Sequence, residues 1–319
     1  MIMISNPFPY SDDNLRYHSY SYYLKHKYQH KVCKVPLDAG FTCPNRDGTK
    51  STGGCRFCSA RGSGDFVEDN SLALQKQYAR GIAEMHRKWP DAYGIAYFQA
   101  YSNTYAPLDV LKKIYEPFRI RPDIAEIAIA TRPDCLDAEK IAYFAQVNQD
   151  KPLTMELGLQ SIHEETMQKM NRCHSAQELY DMVKILKENH IRTTLHIING
   201  LPGENKEMML ETAKKVAELK ADGIKIHMLN ILKSAELYKD YQVSPFPLLS
   251  REEYVDIVVA QLELLPEEMV IERLTGDGLA EELIAPEWIR KKTIVLNEIT
   301  KLQKKRDTYQ GKAYETGKY

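Results

Sequence analysis

The chain has 319 residues, a formal net charge of −1 at pH 7, 43% hydrophobic and 27% charged residues, and six cysteines. That is room for one large domain or a large one with an appendage. Near-neutrality excludes a global positive field for nucleic acid while leaving local basic patches open. Six cysteines do not make a disulfide scaffold.

No stretch is long and apolar enough to span a bilayer, and Met1–Tyr10 lacks the basic start and apolar run of a signal peptide. The expectation is a cytoplasmic protein with no membrane partner, its thiols kept reduced and available for metal.

Residues 1–32 mix Tyr10, Tyr17, Tyr20, Tyr22, Tyr23 and Tyr28 with His18, His26, His30, Lys25, Lys27 and Lys31. They form either an extension packed over the core or a stacking and phosphate-contacting surface for RNA. A first strand is expected over 33–41. A helix over 70–89 follows, then strands at 93–99, 124–130, 153–160, 193–199 and 223–229. These alternate with helices at 107–118, 137–148, 175–189 and 206–220, with a turn over 163–171. Six strands joined by helical crossovers argue for a parallel sheet. In 153–160, Thr154, Glu156, Gly158 and Gln160 share one face and Met155, Leu157 and Leu159 the other. An open doubly wound sheet would bury apolar side chains on both faces. A polar face suits a barrel holding a ligand inside. The expected fold is therefore α/β, a partial open six-stranded (β/α)6 barrel over 33–245. The N-terminal extension (1–32) and a mainly helical C-terminal appendage (246–319) flank it. In the appendage a break at 241–247 precedes a helix over 250–265 with a Ser250-x-x-Glu253 start. An additional strand at 269–274, a turn at Gly276-Asp277-Gly278 and a final helix from Pro286 to Tyr309 with a basic end complete the chain.

Chemistry concentrates between Cys43 and Cys58. Three thiols, Cys43, Cys55 and Cys58, fall within sixteen residues of a glycine-punctuated loop at the C-terminal end of the first strand, where the active sites of such folds sit. Soft thiolates suit zinc, copper(I) or iron–sulfur clusters. A zinc site would need Cys33 as a fourth ligand, and its spacing to Cys43 is too wide for the usual knuckle. Cys135 and Cys173 stand apart and read as small buried residues or incidental ones, not as ligands.

The run Gly40-Phe41-Thr42-Cys43-Pro44-Asn45-Arg46-Asp47-Gly48, followed by Gly53-Gly54-Cys55-x-Phe57-Cys58, resembles the signature of the radical S-adenosylmethionine superfamily. Within it, the likeness is to the YtqA/YhcC group, related to the radical domain of the elongator catalytic subunit. Eleven residues separate the first two cysteines where the commonest spacing is three, and the group shares that departure. The resemblance spans about residues 30–310. It implies a [4Fe–4S] cluster on Cys43, Cys55 and Cys58 with one iron open, S-adenosyl-L-methionine chelated there, and a 5′-deoxyadenosyl radical that takes a hydrogen atom from substrate. It further implies that Phe57 packs near the adenosine. Gln99, Ser102 and Asn103 lie in the loop receiving the methionine amino group, with Thr131 and Arg132 of Ala130-Thr131-Arg132-Pro133-Asp134 near the cofactor. Glu156 and Gln160 match the fourth strand, Arg172 the methionine carboxylate, and Leu201 the adenine loop. His196, His227 and Arg273 are expected on the substrate side as catalytic candidates, and Arg273 and Lys225 as partners for a substrate carboxylate.

For substrate, the resemblance implies transfer RNA: removal of the carboxymethyl unit of 5-carboxymethylaminomethyl-(2-thio)uridine at the wobble position, giving the 5-aminomethyl form. The implied partners are the anticodon arm, a flavodoxin- or ferredoxin-type electron donor, and a separate tRNA methyltransferase acting afterwards. The rivals are a radical enzyme acting on a small metabolite or peptide, and a zinc-stabilised RNA-binding protein.

Overall fold

The structure is a computed structural model, and it describes residues 8, 10–62, 71–276 and 280–314. Seven strands form one parallel sheet: β1 (Val32–Leu37), β2 (Tyr93–Phe98), β3 (Ile124–Thr131), β4 (Leu153–Gln160), β5 (Arg192–Asn199), β6 (Gly223–Met228) and β8 (Val270–Arg273). They lie in chain order, each paired in parallel with the next. The expected partial barrel is therefore present. The segment suspected as an additional strand is its seventh stave, contributed from beyond residue 246. A small antiparallel pair, β7 (Ile231–Leu232) and β9 (Leu283–Ala285), is separate from the main sheet.

Helices α2 (Leu74–His86), α3 (Leu108–Arg119), α4 (Ala138–Asp150), α6 (Ala176–Glu188) and α7 (Lys206–Glu218) are the crossovers. Three of the five starts have a side-chain cap. Asp137 caps α4 and Asn205 caps α7 by accepting a backbone N–H, and Ser175 with Glu178 makes a full capping box on α6. Their apolar stripes meet the outward faces of the strands: Phe98, Tyr115, Phe118, Phe144, Ile129, Met155, Leu157 and Leu195 are all fully enclosed. Burying each such side chain contributes about 1.5–3 kcal/mol. With the outer faces satisfied in this way, the inner faces are free to be polar.

The remaining helices are α1 (Tyr20–Tyr28), α5 (Glu164–Lys169) inside the expected turn, α8 (Glu236–Val243), α9 (Arg251–Leu264) and α10 (Lys292–Lys305). The Ser250–Glu253 capping box starts α9 as the sequence indicates. Helix α9 is tied to β5 by a buried amide pair, Gln261 with Asn199, at 2.8–2.9 Å in both directions. Two expectations shift. The break placed at 241–247 begins only after α8, which runs to Val243. The final helix is α-helical from Lys292, after a 3-10 turn over Glu287–Lys291. The turn expected at Asp277-Gly278 lies outside the described residues.

The N-terminal segment closes the base of the barrel. The carbonyl of His18 accepts from Ile271 N at 2.8 Å, on the free edge of β8. Helix α1 then crosses beneath the strands. Tyr20 and Tyr23 stack on each other, Arg192 lies 4.9 Å from the Tyr23 ring, and Lys27 and Tyr28 both reach the buried carboxylate of Glu126. These tyrosines are held by the barrel, which favours the packed-extension reading for that part of the segment.

Candidate active site

Strand parity builds the site. Inward positions of the strands carry Lys34, Tyr97, Glu156, Gly158, Gln160, His196, Lys225, His227 and Arg273, and these line two adjoining cavities at the C-terminal ends of the strands. Cavities in parallel α/β folds open at this end because the loops there are free to vary over a fixed scaffold.

The smaller cavity, about 140 Å³, holds Cys43, Cys55 and Cys58 together with Gln99, Ser102, Thr131, Arg132, Glu156, Gly158, Gln160 and Arg172. The cysteine loop owes its shape to glycines with left-handed backbones. At Gly54 (φ +86°) a Cβ would come within 2.8 Å of Arg46 Nε, and at Gly62 (φ +58°) within 2.2 Å of the Tyr101 ring. Asn45 clamps the loop to the turn after α5, donating to the carbonyls of Asn171 and Arg172 at 2.6 and 3.0 Å. Arg56 pairs with Asp240 of α8.

Two buried arginines frame the thiols. Arg172 donates to the Gly158 carbonyl at 2.6 Å and points a second N–H at Cys55 Sγ, 3.8 Å away. Arg132 forks onto Asp134 at 2.9 and 2.8 Å. A hydrogen bond from Cys58, then Arg172 and Arg132, draw the Cys55 thiol well below its ordinary range despite burial. Cys58 is pushed in the opposite direction by the same bond.

The larger cavity, about 340 Å³, shares Phe57, Tyr97, Gln99, Gln160 and His196 with the first and adds Lys34, Lys225, His227, Asn230 and Arg273. Glu156 sits beneath the boundary. It accepts from Lys34 and Tyr97 at 2.8 Å each, from His196 Nε2 at 3.0 Å, and from Lys225. Burial alone would raise its carboxyl, but Lys225, Lys34 and His196 hold it well below the ordinary range. Burial lowers Lys225 to about 7 even against the pull of Glu156. His196 is lowered by burial and by Lys225, and His227 is lowered well below its usual value by burial and by His196, Arg273 and Lys225.

The residues expected at the site thus converge, with two exceptions. Asn103 and Leu201 line neither cavity. Asn103 is fully buried and braces the loop after β2 by donating to the carbonyls of Ala100 and Ala130. Leu201 is packed in an apolar cluster with Met167, Met170 and Leu229. Three contributors went unmarked: Lys34, Tyr97 and Asn45. For Tyr97 the signal was available, a polar-tipped side chain on the inward parity of an otherwise apolar strand.

A seven-stave parallel half-barrel with a three-thiol loop after its first strand defines a class of proteins that hold a metallocofactor at the strand ends. Comparison with known proteins makes the class specific. The family described as Radical SAM superfamily matches residues 46–216, and the Radical_SAM C-terminal domain matches residues 221–305. The uncharacterized protein YtqA of Bacillus subtilis (strain 168) is 46% identical over 314 residues, covering 98% of each chain. YhcC of Escherichia coli (strain K12) is 31% identical over 83% of this chain and 85% of its own. The tRNA uridine(34) acetyltransferase of Methanocaldococcus infernus is 24% identical over 53% of this chain but only 32% of its own length. The solved structure of Elp3 from that archaeon, lacking its N-terminus, superimposes with a TM-score of 0.64 at 16% identity, over 88% of this chain and 64% of that one. The chain belongs to the radical S-adenosylmethionine superfamily and to its YtqA/YhcC group, and it is a radical S-adenosylmethionine enzyme.

Membership implies a [4Fe–4S] cluster and S-adenosylmethionine, and the residues present fit them. The donor set is three thiols on one cavity wall. Beside the thiols, Arg132 Nη1 and Arg172 Nε are buried N–H groups without partners. An orphaned donor of that kind costs about 1–3 kcal/mol, and an anionic ligand group would remove the cost.

Proposed function

We propose that this enzyme acts on transfer RNA, removing the carboxymethyl unit from 5-carboxymethylaminomethyl-(2-thio)uridine at the wobble position and leaving the 5-aminomethyl base. Cys43, Cys55 and Cys58 are the residues that would hold the cluster. Arg172, Arg132, Ser102, Gln99 and Thr131 would receive the amino-acid end of S-adenosylmethionine, with Gln160 and Phe57 toward its nucleoside. When bound, this pair supplies one-electron cleavage and hydrogen-atom abstraction; the protein positions the reacting groups and excludes water.

The observation that carries the substrate reading is the larger cavity. It adjoins the thiol-lined one through a shared wall of Phe57, Tyr97, Gln99, Gln160 and His196, and its cationic lining of Lys34, Lys225 and Arg273 comes from three different strands. A small, half-enclosed chamber with converging ammonium and guanidinium groups suits a carboxylate. A carboxymethylamino group carries one. The partial matches to tRNA uridine(34) acetyltransferase and to yeast elongator complex protein 3, the latter 26% identical over 47% of this chain and 27% of its own, support RNA as the carrier of that group. An external one-electron donor of flavodoxin or ferredoxin type completes the reading, with a methyltransferase acting on the exposed amine. No helix among the described residues is long and apolar enough to cross a membrane.

Nucleoside profiling of transfer RNA from cells lacking the gene tests this. Accumulation of the carboxymethylaminomethyl nucleoside with loss of later forms is expected. An unchanged profile overturns the RNA substrate and returns the chamber to a small anionic metabolite.

A further inference from the structure

The larger cavity discriminates by charge. Lys34 of β1, Lys225 of β6 and Arg273 of β8 line it, and no described Asp or Glu does. Lys34 and Lys225 share a single carboxylate, Glu156 of β4, which faces the neighbouring cavity. Lys34 also reaches Glu272 at 3.0 Å, and that carboxylate is in turn taken by Arg192 at 2.7 Å. Two imidazoles complete the polar wall, with ring centroids 5.4 Å apart. His196 is committed to Glu156, whereas Nε2 of His227 is buried and has no partner.

An ordinary secondary amine is protonated at neutral pH. Inside this chamber such an ammonium would face Lys34, Lys225 and Arg273, while the carboxylates nearest it, Glu156 and Glu272, are already engaged by the two lysines. Like charges within about 4–6 Å disfavour the charged form, and every pKa unit of that bias is about tenfold in population. A carboxylate experiences the reverse. His227, held uncharged by its surroundings, is not a further cation, and its unpartnered Nε2 accepts a hydrogen bond in the tautomer that carries the proton on Nδ1.

We propose that the chamber binds the amino-carboxylate arm of its substrate with the amine uncharged, the carboxylate meeting Lys225 and Arg273 and the amine N–H donating to Nε2 of His227. This rests on the substrate reading above. The ammonium proton is left in bulk water as the arm enters. The selection has a chemical purpose. A carbon–hydrogen bond beside a neutral nitrogen is weakened because the nitrogen lone pair spreads into the radical that forms; an ammonium has no lone pair to give. The chamber thereby admits the form of the arm from which a hydrogen atom is most easily taken.

The test uses the anaerobic holoenzyme with S-adenosylmethionine and two anticodon stem-loop RNAs. Their wobble side chains have the same shape and the same carboxylate. One carries a dimethylammonium in place of the amine, the other its uncharged dimethyl-carbon isostere. Binding is read by fluorescence anisotropy. The uncharged RNA should bind at least about tenfold more tightly, one pKa unit's worth of bias. At pH 6, where Lys225 carries its proton, the gap should narrow in Lys225→Met, since one repelling cation is gone. Equal or tighter binding of the ammonium RNA, with both bound better than unmodified RNA, overturns this inference and leaves the substrate reading intact. If a stem-loop carrying the natural carboxymethylaminomethyl arm binds no better than the unmodified one, the substrate reading falls and this inference with it.

Discussion

Glu156→Gln is the most informative single substitution, because one buried carboxylate holds four donors. Its side chain is fully enclosed, and that of Lys225 is 4% exposed. The amide keeps the shape and one acceptor for Tyr97 at 2.8 Å, but removes the charge facing Lys225 and Lys34. Removing one partner of a buried ion pair costs about 3–5 kcal/mol, since the other charge is left uncompensated. Two features of the site moderate this. Lys34 retains Glu272 at 3.0 Å, and Lys225, already lowered to about 7, escapes by losing its proton. The cost therefore depends on pH, and its sign follows from linkage. Above about pH 7 Lys225 is largely neutral in the folded wild type, so little of its pairing with Glu156 is there to lose. Below that value the wild type holds the charged pair. The variant, with a still lower folded pKa, must keep the lysine neutral while the unfolded chain binds the proton. The gap between wild type and variant must widen as pH falls from 9 to 6. Thermal and urea midpoints of anaerobic protein at both pH values measure it. A deficit of about 3 kcal/mol at pH 6, smaller by about 1.4 kcal/mol at pH 9, is expected, since the protonation of Lys225 spans about one pH unit of that range. Adding Lys225→Met should restore a large part of the loss at pH 6, because the double variant has no stranded ammonium. A deficit below about 1 kcal/mol, or one that does not change with pH, refutes the view of Glu156 as the counter-ion of Lys225.

Serine at Cys43, Cys55 or Cys58 should each lower bound iron and acid-labile sulfide per chain while the fold, followed by circular dichroism, stays; full iron retention in any of the three would remove that thiol from the ligand set. Arg172→Ala withdraws a guanidinium that braces the Gly158 carbonyl at 2.6 Å. With a charged hydrogen bond worth about 1.5–3 kcal/mol, S-adenosylmethionine affinity of cluster-loaded protein should fall by roughly ten- to 150-fold; an unchanged dissociation constant would place the ligand elsewhere. Gly158→Ala sets a methyl 2.5 Å from Gln160 Nε2 and 2.9 Å from Arg172 Nη2. It should weaken the same binding with little change in melting temperature, because both atoms end flexible side chains. Gly62→Ala places a methyl 2.2 Å from the Tyr101 ring at a φ of +58°, so the loss there should appear first in stability, by about 1–3 kcal/mol in urea titration.

The sheet was legible because the strands alternate with amphipathic helices and because the polar parity of 153–160 marks an inner face. Glu156, Gly158 and Gln160 do face the cavity while Met155, Leu157 and Leu159 pack outward. The thiol loop was legible from spacing alone. What escaped has a physical reason in each case. Helix α1 buries only Leu24 fully, so it has no apolar stripe to read; its position is set by Ser19 capping Tyr22 and by aromatic and charged contacts to the barrel base. Lys34 sits in a six-residue strand that reads as plain core, Val-Cys-Lys-Val-Pro-Leu. Its role becomes visible only when β1 is folded within 2.8 Å of a carboxylate 122 residues away in sequence. Asn103 and Leu201 sit in motifs that read as ligand contacts. Their backbones occupy the loops as expected, while their side chains turn to bracing and packing.

The charges that sequence reading could not pair explain why the cavity end of this barrel is reactive and its base is inert. At the base, Glu126 takes Lys27, Tyr28 and Thr154, and Glu272 takes Arg192, Thr194 and Lys34, so each carboxylate there is saturated by donors. Helix α1 lies across that end, with Lys27 and Tyr28 on Glu126 and the Tyr23 ring against Arg192. Glu156, one level higher, is over-subscribed: two ammoniums, a phenol and an imidazole compete for its two oxygens. The level above that has cations and neutral imidazoles but no described acid. The interior thus passes from neutral pairing to positive excess toward the strand ends. Lys34 and Lys225 share Glu156 beneath the cavity boundary, and an anionic arm would offer them a second acceptor there. The cations thus lie beside the thiols, where the proposed anionic arm would meet them, and the tyrosine-rich helix packs across the opposite end.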